Sequence, residues 1–118
     1  MNIKIVPVNI ELLDQQRESL DEKLESLEKI AQRYGEGALL TITIKKITSN
    51  QETGKIFTAE ANFAIPGKDI ICKAEGNDFE VTTDKLKDKL KNLMIKNKEL
   101  RNGRFRRLAR SLKNKLRL

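Results

Sequence analysis

Ile70-Ile71-Cys72-Lys73-Ala74-Glu75-Gly76-Asn77-Asp78-Phe79-Glu80-Val81-Thr82-Thr83-Asp84-Lys85-Leu86-Lys87-Asp88-Lys89-Leu90 changes its hydrophobic period half-way along. Before Gly76, the apolar Ile70, Cys72 and Ala74 alternate with Lys73 and Glu75, and Ile71 is the one lapse. A period of two describes a strand with one covered face. After Asp78 the apolar positions, Val81 or Thr82, Leu86, Leu90, Leu93 and Leu100, recur every three or four residues, as on an amphipathic helix. Gly76-Asn77 breaks the first pattern, and Asp78 is placed to cap the second. A strand therefore runs directly into a helix. The rest of the chain must supply the sheet that the strand joins and the surface that the helix covers.

Upstream, Phe57, Ala59, Ala61 and Phe63 alternate with Thr58, Glu60 and Asn62, and Leu40, Ile42 and Ile44 alternate with Thr41, Thr43 and Lys45. The connections, Ser49 to Gly54 and Pro66-Gly67, carry turn residues. Three alternating strands with short links predict an antiparallel meander. Further upstream, Leu20, Leu24, Leu27, Ala31 and Tyr34 keep helical spacing from a cap expected at Asp14 to a stop at Gly35-Glu36-Gly37. Glu18, Asp21, Glu22, Glu25 and Glu28 lie on the outer face of that helix, with Glu25 four residues before Lys29. Ile3 and Ile5 make a short first strand ended by Pro7. The order is β-α-β-β-β-α. Each helix must bury one stripe, so the expected fold is α+β: a four-stranded sheet with two helices packed on one face. Asn102-Gly103 reads as the end of the second helix. Beyond it, Phe105, Leu108, Leu112 and Leu116 keep helical spacing among seven Lys/Arg. The expected organisation is a domain at 1–101 and a basic C-terminal extension at 102–118.

Charge is distributed unevenly. Residues 85–118 hold fourteen Lys/Arg against Asp88 and Glu99, a net +12, whereas residues 1–84 hold ten basic and fifteen acidic residues, a net −5. Clustered cations point to a polyanionic partner. On a helical wheel Lys85, Lys89, Asn92 and Lys96 align on one flank of the second helix, and Lys87, Lys91 and Lys98 on the other. The first row is about 16 Å long at roughly 1.5 Å per residue, a span that can follow a phosphate backbone. The plainer reading is a solvated face whose lysine stems sheathe the core, but few acids interleave there. Arg101, Arg104, Arg106, Arg107 and Arg110 add guanidinium groups suited to bidentate phosphate contact. A basic amphipathic tail would also suit an anionic membrane or a helix-binding groove. Four of the five aromatic residues, Tyr34, Phe57, Phe63 and Phe79, fall at core positions. That leaves no exposed stacking platform for a single strand, so recognition of backbone and shape in structured RNA is expected.

Catalysis is not expected. Histidine, the usual general base near neutral pH, is missing from the 118 residues. The sequence has neither a Cys/His metal cluster nor a glycine-rich phosphate loop, so no cofactor, metal or small-molecule substrate is expected. Cys72 sits in a strand pattern and reads as a buried, inert thiol in a reducing compartment. A chain this size buries only roughly two thirds of its unfolded surface, so a large substrate cavity is not expected either. Neither a membrane span nor a signal-peptide pattern is present, and a cytoplasmic location is expected.

The stretch from Ala74-Glu75-Gly76-Asn77-Asp78 through Asp84, Leu86, Lys89 and Leu90 to Lys96 and Lys98 resembles the ribosome hibernation-promoting factor and protein Y family, members of which were formerly described as sigma-factor modulators. That family shows A-E-G-x-D, an Asp six residues on, then L-x-x-K-L and a K-x-K close. Ile5-Val6-Pro7-Val8-Asn9-Ile10 resembles its opening, and Lys23-Leu24 with Leu27-Glu28 its first-helix core. The resemblance covers roughly residues 2 to 100. Departures are Glu80 and Thr83 after the capping Asp, Leu93 in place of a common Gln, and Ser26 in place of a first-helix Lys. It implies a double-stranded-RNA-binding-like domain that lodges on the small ribosomal subunit, contacts ribosomal RNA, blocks the channel for messenger and transfer RNA, and holds ribosomes inactive. The matched basic positions are Lys23, Lys89, Lys96 and Lys98. The long family forms add a dimerising domain for which this chain has no room, so a monomer is expected off the ribosome. Two other functions fit the same residues: a general structured-RNA binder or chaperone, and a protein-interaction module that modulates transcription through the acidic first helix.

Overall fold

Six elements follow one another: β1 (Asn2–Val8), α1 (Asp14–Gln32), β2 (Leu39–Lys46), β3 (Phe57–Ile65), β4 (Lys68–Gly76) and α2 (Phe79–Leu116). The structure, a computed structural model, describes residues 2–35, 37–47 and 56–116, with side chains described up to residue 97. The turn expected at Ser49 to Gly54 lies outside the described residues.

The sheet order is β1-β2-β3-β4. β2, β3 and β4 form the antiparallel meander that the alternation predicts. β1 pairs with β2 in parallel, because α1 carries the chain back across the sheet before β2 begins. Registered rows run across all four strands. Ile3, Leu40, Phe63 and Ile70 share one row, and Ile5, Ile42, Ala61 and Cys72 the next. Both rows face the helices. The intervening rows, such as Lys4, Thr41, Asn62 and Ile71, lie on the opposite, open face. The helices contribute Leu20, Leu24, Leu27 and Ala31 from α1 and Phe79, Leu86, Leu90 and Met94 from α2 to one buried cluster. Both helices thus cover the same face. Tyr34 and Phe63 meet edge to face, with ring centroids 5.2 Å apart. Phe57 and Phe79 do the same at 6.3 Å. Cys72 is buried and its thiol pKa is raised, first by that burial, which leaves little thiolate for reaction.

Local chemistry explains the junctions. Asn9, directly after β1, takes a left-handed φ of 56°, a conformation that Asn tolerates better than most residues. Pro66 and Gly67 link β3 to β4, with Gly67 at a φ of 81°. At the junction of β4 and α2, a Cβ on Gly76 would stand 2.5 Å from the Thr82 Oγ1. That hydroxyl is itself held by the Asp78 carbonyl at 2.7 Å, so the first turn of α2 presses on the strand end and glycine is required. Asp78 caps α2 as expected, its Oδ1 accepting the Glu80 N–H at 2.7 Å.

Three details differ from the sequence expectation. Asp14 is the first helical residue of α1, not its cap; the cap is Leu13, whose N–H donates to Gln16 Oε1 at 3.0 Å. In α2 the buried stripe takes Thr82 of the two expected alternatives and then passes through Met94, while Leu93 is exposed at 37%. A repeat of 3.6 residues allows the stripe to continue from Leu90 by three or by four, and the buried surface beneath selects four. Leu100 has a side chain outside the described residues. Finally, α2 is not broken at Asn102-Gly103 but continues to Leu116. A helical Gly costs only about 1 kcal/mol against Ala, and the surrounding Arg, Leu and Lys are good helix formers.

Candidate nucleic-acid interface

α2 is fixed on the body by polar ties on both sides. On the α1 side, the Lys23 ammonium reaches Glu80 Oε2 at 2.6 Å, Thr83 Oγ1 at 2.6 Å and Asp84 Oδ1 at 3.3 Å. Ser19 Oγ also donates to Glu80 Oε2, at 2.6 Å. The Lys23 side chain is only 12% exposed. The structure thus gives Lys23 an internal role, joining the two helices, and its charge is already matched by carboxylates. Further along, the Tyr34 hydroxyl donates to the Met94 carbonyl of α2.

The Glu80 carboxyl is held below the ordinary carboxylate range, first by the Lys23 hydrogen bond and then by that from Ser19. A depressed folded pKa means that the tie stabilises the fold above the unfolded value and is lost as pH falls through the folded one. Glu80→Gln is therefore expected to cost a few tenths to about 1 kcal/mol at neutral pH, as for a partly exposed pair. Urea denaturation should show the difference from the natural protein closing in acid. A difference that persists unchanged in acid would assign it to packing and not to charge.

On the other flank, Lys85, Lys89, Asn92 and Lys96 are all exposed along one side of α2. None of these three lysines has a carboxylate partner among the described residues. This flank overhangs β4, the edge strand. Lys89 Nζ donates to the Lys73 carbonyl at 2.9 Å, and Lys68 Nζ donates to Asn97 Oδ1 at 3.3 Å. Lys68, exposed on β4 on the side that α2 covers, thus extends the cationic flank onto the sheet edge, whereas the Lys73 side chain lies on the open face, 3.9 Å from Glu60 Oε2. Sequence reasoning missed Lys68: it is in phase with Ile70 and Cys72, but only the overhang of α2 brings it beside the helix row. The other flank is less available, with Lys87 half-buried and 3.6 Å from Asp88. The acids of the α1 outer face, Glu18, Asp21, Glu22, Glu25 and Glu28, are exposed, so the body carries separate acidic and basic surfaces. The side chains of Lys98, Arg101, Arg104, Arg106, Arg107 and Arg110 lie outside the described residues; their backbone belongs to α2.

Among the described residues no helix is long and apolar enough to cross a membrane, and no three His, Cys, Asp or Glu stand together as metal ligands.

The family model described as sigma 54 modulation protein / S30EA ribosomal protein matches residues 3–102. The chain belongs to this family. The S30EA match spans β1 to the middle of α2, the same region in which the sequence resembles the hibernation factors. Two solved structures share the fold. One, a ribosomal subunit interface protein from Coxiella burnetii, is 24% identical with a TM-score of 0.64, covering 84% of this chain and 99% of that one. The other, the Protein Y N-terminal domain from Thermus thermophilus, is 23% identical with a TM-score of 0.61, covering 80% and 96%. No curated protein sequence matches the chain. S30EA proteins are ribosome-associated modulators, and membership places this chain among them.

Proposed function

We propose that this protein is a hibernation factor that binds the small ribosomal subunit through ribosomal RNA phosphates and blocks the channel for messenger and transfer RNA. The observation that carries this reading is the flank of α2, where Lys85, Lys89, Asn92 and Lys96 are exposed and unpaired with acids among the described residues, joined by Lys68 of β4. Family membership and the likeness to a subunit interface protein support a ribosomal partner. The mechanism is steric. Phosphates neutralise the lysine flank, the folded body then occupies space that messenger and transfer RNA need, and no covalent step is involved. Arg101, Arg104, Arg106, Arg107 and Arg110, with Lys98, would carry the contact further along α2, the 102–118 segment acting as an extension of the ribosome-binding body. Lys23 serves the same end indirectly, by fixing the position of α2.

Sucrose-gradient sedimentation with purified small subunits across a salt series tests the reading. Four phosphate contacts give a slope of about −3 to −4 in log affinity against log salt. A flat response would instead favour a protein partner met through the acidic face of α1. Plain duplex RNA that competes as well as subunits do would indicate a general RNA binder.

A further inference from the structure

The helices carry two rows of opposite charge, and neither is neutralised within the fold. On α1, Asp14, Glu18, Asp21, Glu25 and Glu28 are exposed and follow one another at gaps of four, three, four and three residues. On α2, Lys85, Lys89, Asn92 and Lys96 are exposed at gaps of four, three and four. Among the described residues no carboxylate of the first row and no lysine of the second enters an ion pair. The two rows of one copy cannot meet. Ser19 and Lys23 form the side of α1 that faces α2, where they bond Glu80, and the acids lie around the helix on the opposite side. The lysine row overhangs β4, on the flank of α2 away from those bonds. Beside it Val81, Leu93 and Ile95 of α2 are exposed, and Leu13 is exposed at the head of the acid row. Aliphatic groups add nothing to a phosphate contact but do add to contact with another protein surface.

We infer that a second copy of this chain docks on these rows, the acid row of each α1 lying along the lysine row of the other copy's α2. The shared gaps keep carboxylates and ammonium groups in step over about 16 Å, at roughly 1.5 Å per residue. Pairing α1 with α1 or α2 with α2 would set like charges together, so only the mixed arrangement attracts. Each copy offers both rows, so the exchange is reciprocal and closes as a pair. Exposed ion pairs contribute little each, and the pair is therefore weak, with a Kd on the order of 100 μM. The lysine row cannot hold a second copy and RNA at once. Self-association thus competes with the binding proposed above without depending on it. The monomer expected from the sequence is then the form free to bind RNA.

Sedimentation velocity of the full chain tests this. In about 0.1 M salt the sedimentation coefficient should rise with protein concentration toward that of two copies. In about 1 M salt, where charges are screened beyond about 3 Å, it should stay at that of one. Glu18→Lys with Asp21→Lys and Glu25→Lys should abolish the rise, and so should Lys85→Glu with Lys89→Glu and Lys96→Glu. Mixed in equal amounts, these two variants should associate again, because every row then faces its opposite. The first variant mixed with the Lys4→Glu, Lys45→Glu and Lys46→Glu variant, equal in net charge to the second, should not. Circular dichroism checks the helices, and Glu18→Gln with Asp21→Asn and Glu25→Gln replaces the α1 reversal if that variant unfolds. A natural protein that stays single at every concentration, or a mixture that fails to associate, overturns the inference. So does association that survives the α1 substitutions. Binding of polylysine by a protein that stays single would assign the acid row to a different, basic partner and overturn it too. In each case the ribosomal reading stands, because the lysine row remains free for phosphate.

Discussion

Replacing Lys85, Lys89 and Lys96 together by glutamate is expected to lower affinity for small ribosomal subunits by at least about two to three orders of magnitude. Each change removes a phosphate contact and adds a repulsive carboxylate beside a polyanion, so the loss exceeds that of neutralisation. The fold should persist. All three side chains are exposed, and among the described residues only Lys89 bonds within the protein, to the Lys73 carbonyl. Such a bond contributes about 0.5–1.5 kcal/mol. The matched control is Lys4→Glu, Lys45→Glu and Lys46→Glu, which changes net charge equally at exposed positions of β1 and β2, away from α2. Sedimentation should fail for the first variant and survive in the second. Equal losses would mean that overall charge drives the association, and unchanged binding by the first variant would sink the proposed interface.

Phe63→Ala carries the largest expected effect on stability. Its side chain is fully buried, shares a registered row with Ile3, Leu40 and Ile70, and meets Tyr34 edge to face. Removing a buried phenyl ring typically costs about 3–5 kcal/mol, because contacts are lost and a cavity remains. Set against a total of about 5–15 kcal/mol for a domain, that is a large share. Urea and thermal denaturation should both report it, with the midpoint temperature falling by about 4–8 °C for each kcal/mol. A fall of only a few degrees would mean that the sheet and helices do not close on this ring.

Much of the architecture is legible in the residues because local patterns and the global fold agree. The alternation from Leu40 to Ile44, from Phe57 to Phe63 and from Ile70 to Ala74 maps onto β2, β3 and β4, and Asp78 caps α2 where the period changes. What escapes local reading depends on partners distant in sequence. Whether Leu93 or Met94 continues the buried stripe is a choice between two spacings that the helix alone permits equally. The tie from Lys23 to Glu80 joins residues that only the packing of α1 on α2 brings together. Lys23 matches the family pattern as a basic residue, yet its charge is matched within the fold. The opposite holds for Lys68, unremarkable in a strand pattern but set beside the helix row by the overhang of α2.

The parallel pairing of β1 with β2 has a kinetic consequence. β2, β3 and β4 are joined to their neighbours by short links, and α2 follows β4 almost at once, so their contacts close small loops. β1 instead meets β2 with Asn2 beside Leu39, across the whole of α1. Closing that longer loop costs more entropy before any contact is gained. β1 is therefore expected to join the sheet last and to leave it first, and its amides should exchange with deuterium ahead of those of β3, which is enclosed between β2 and β4.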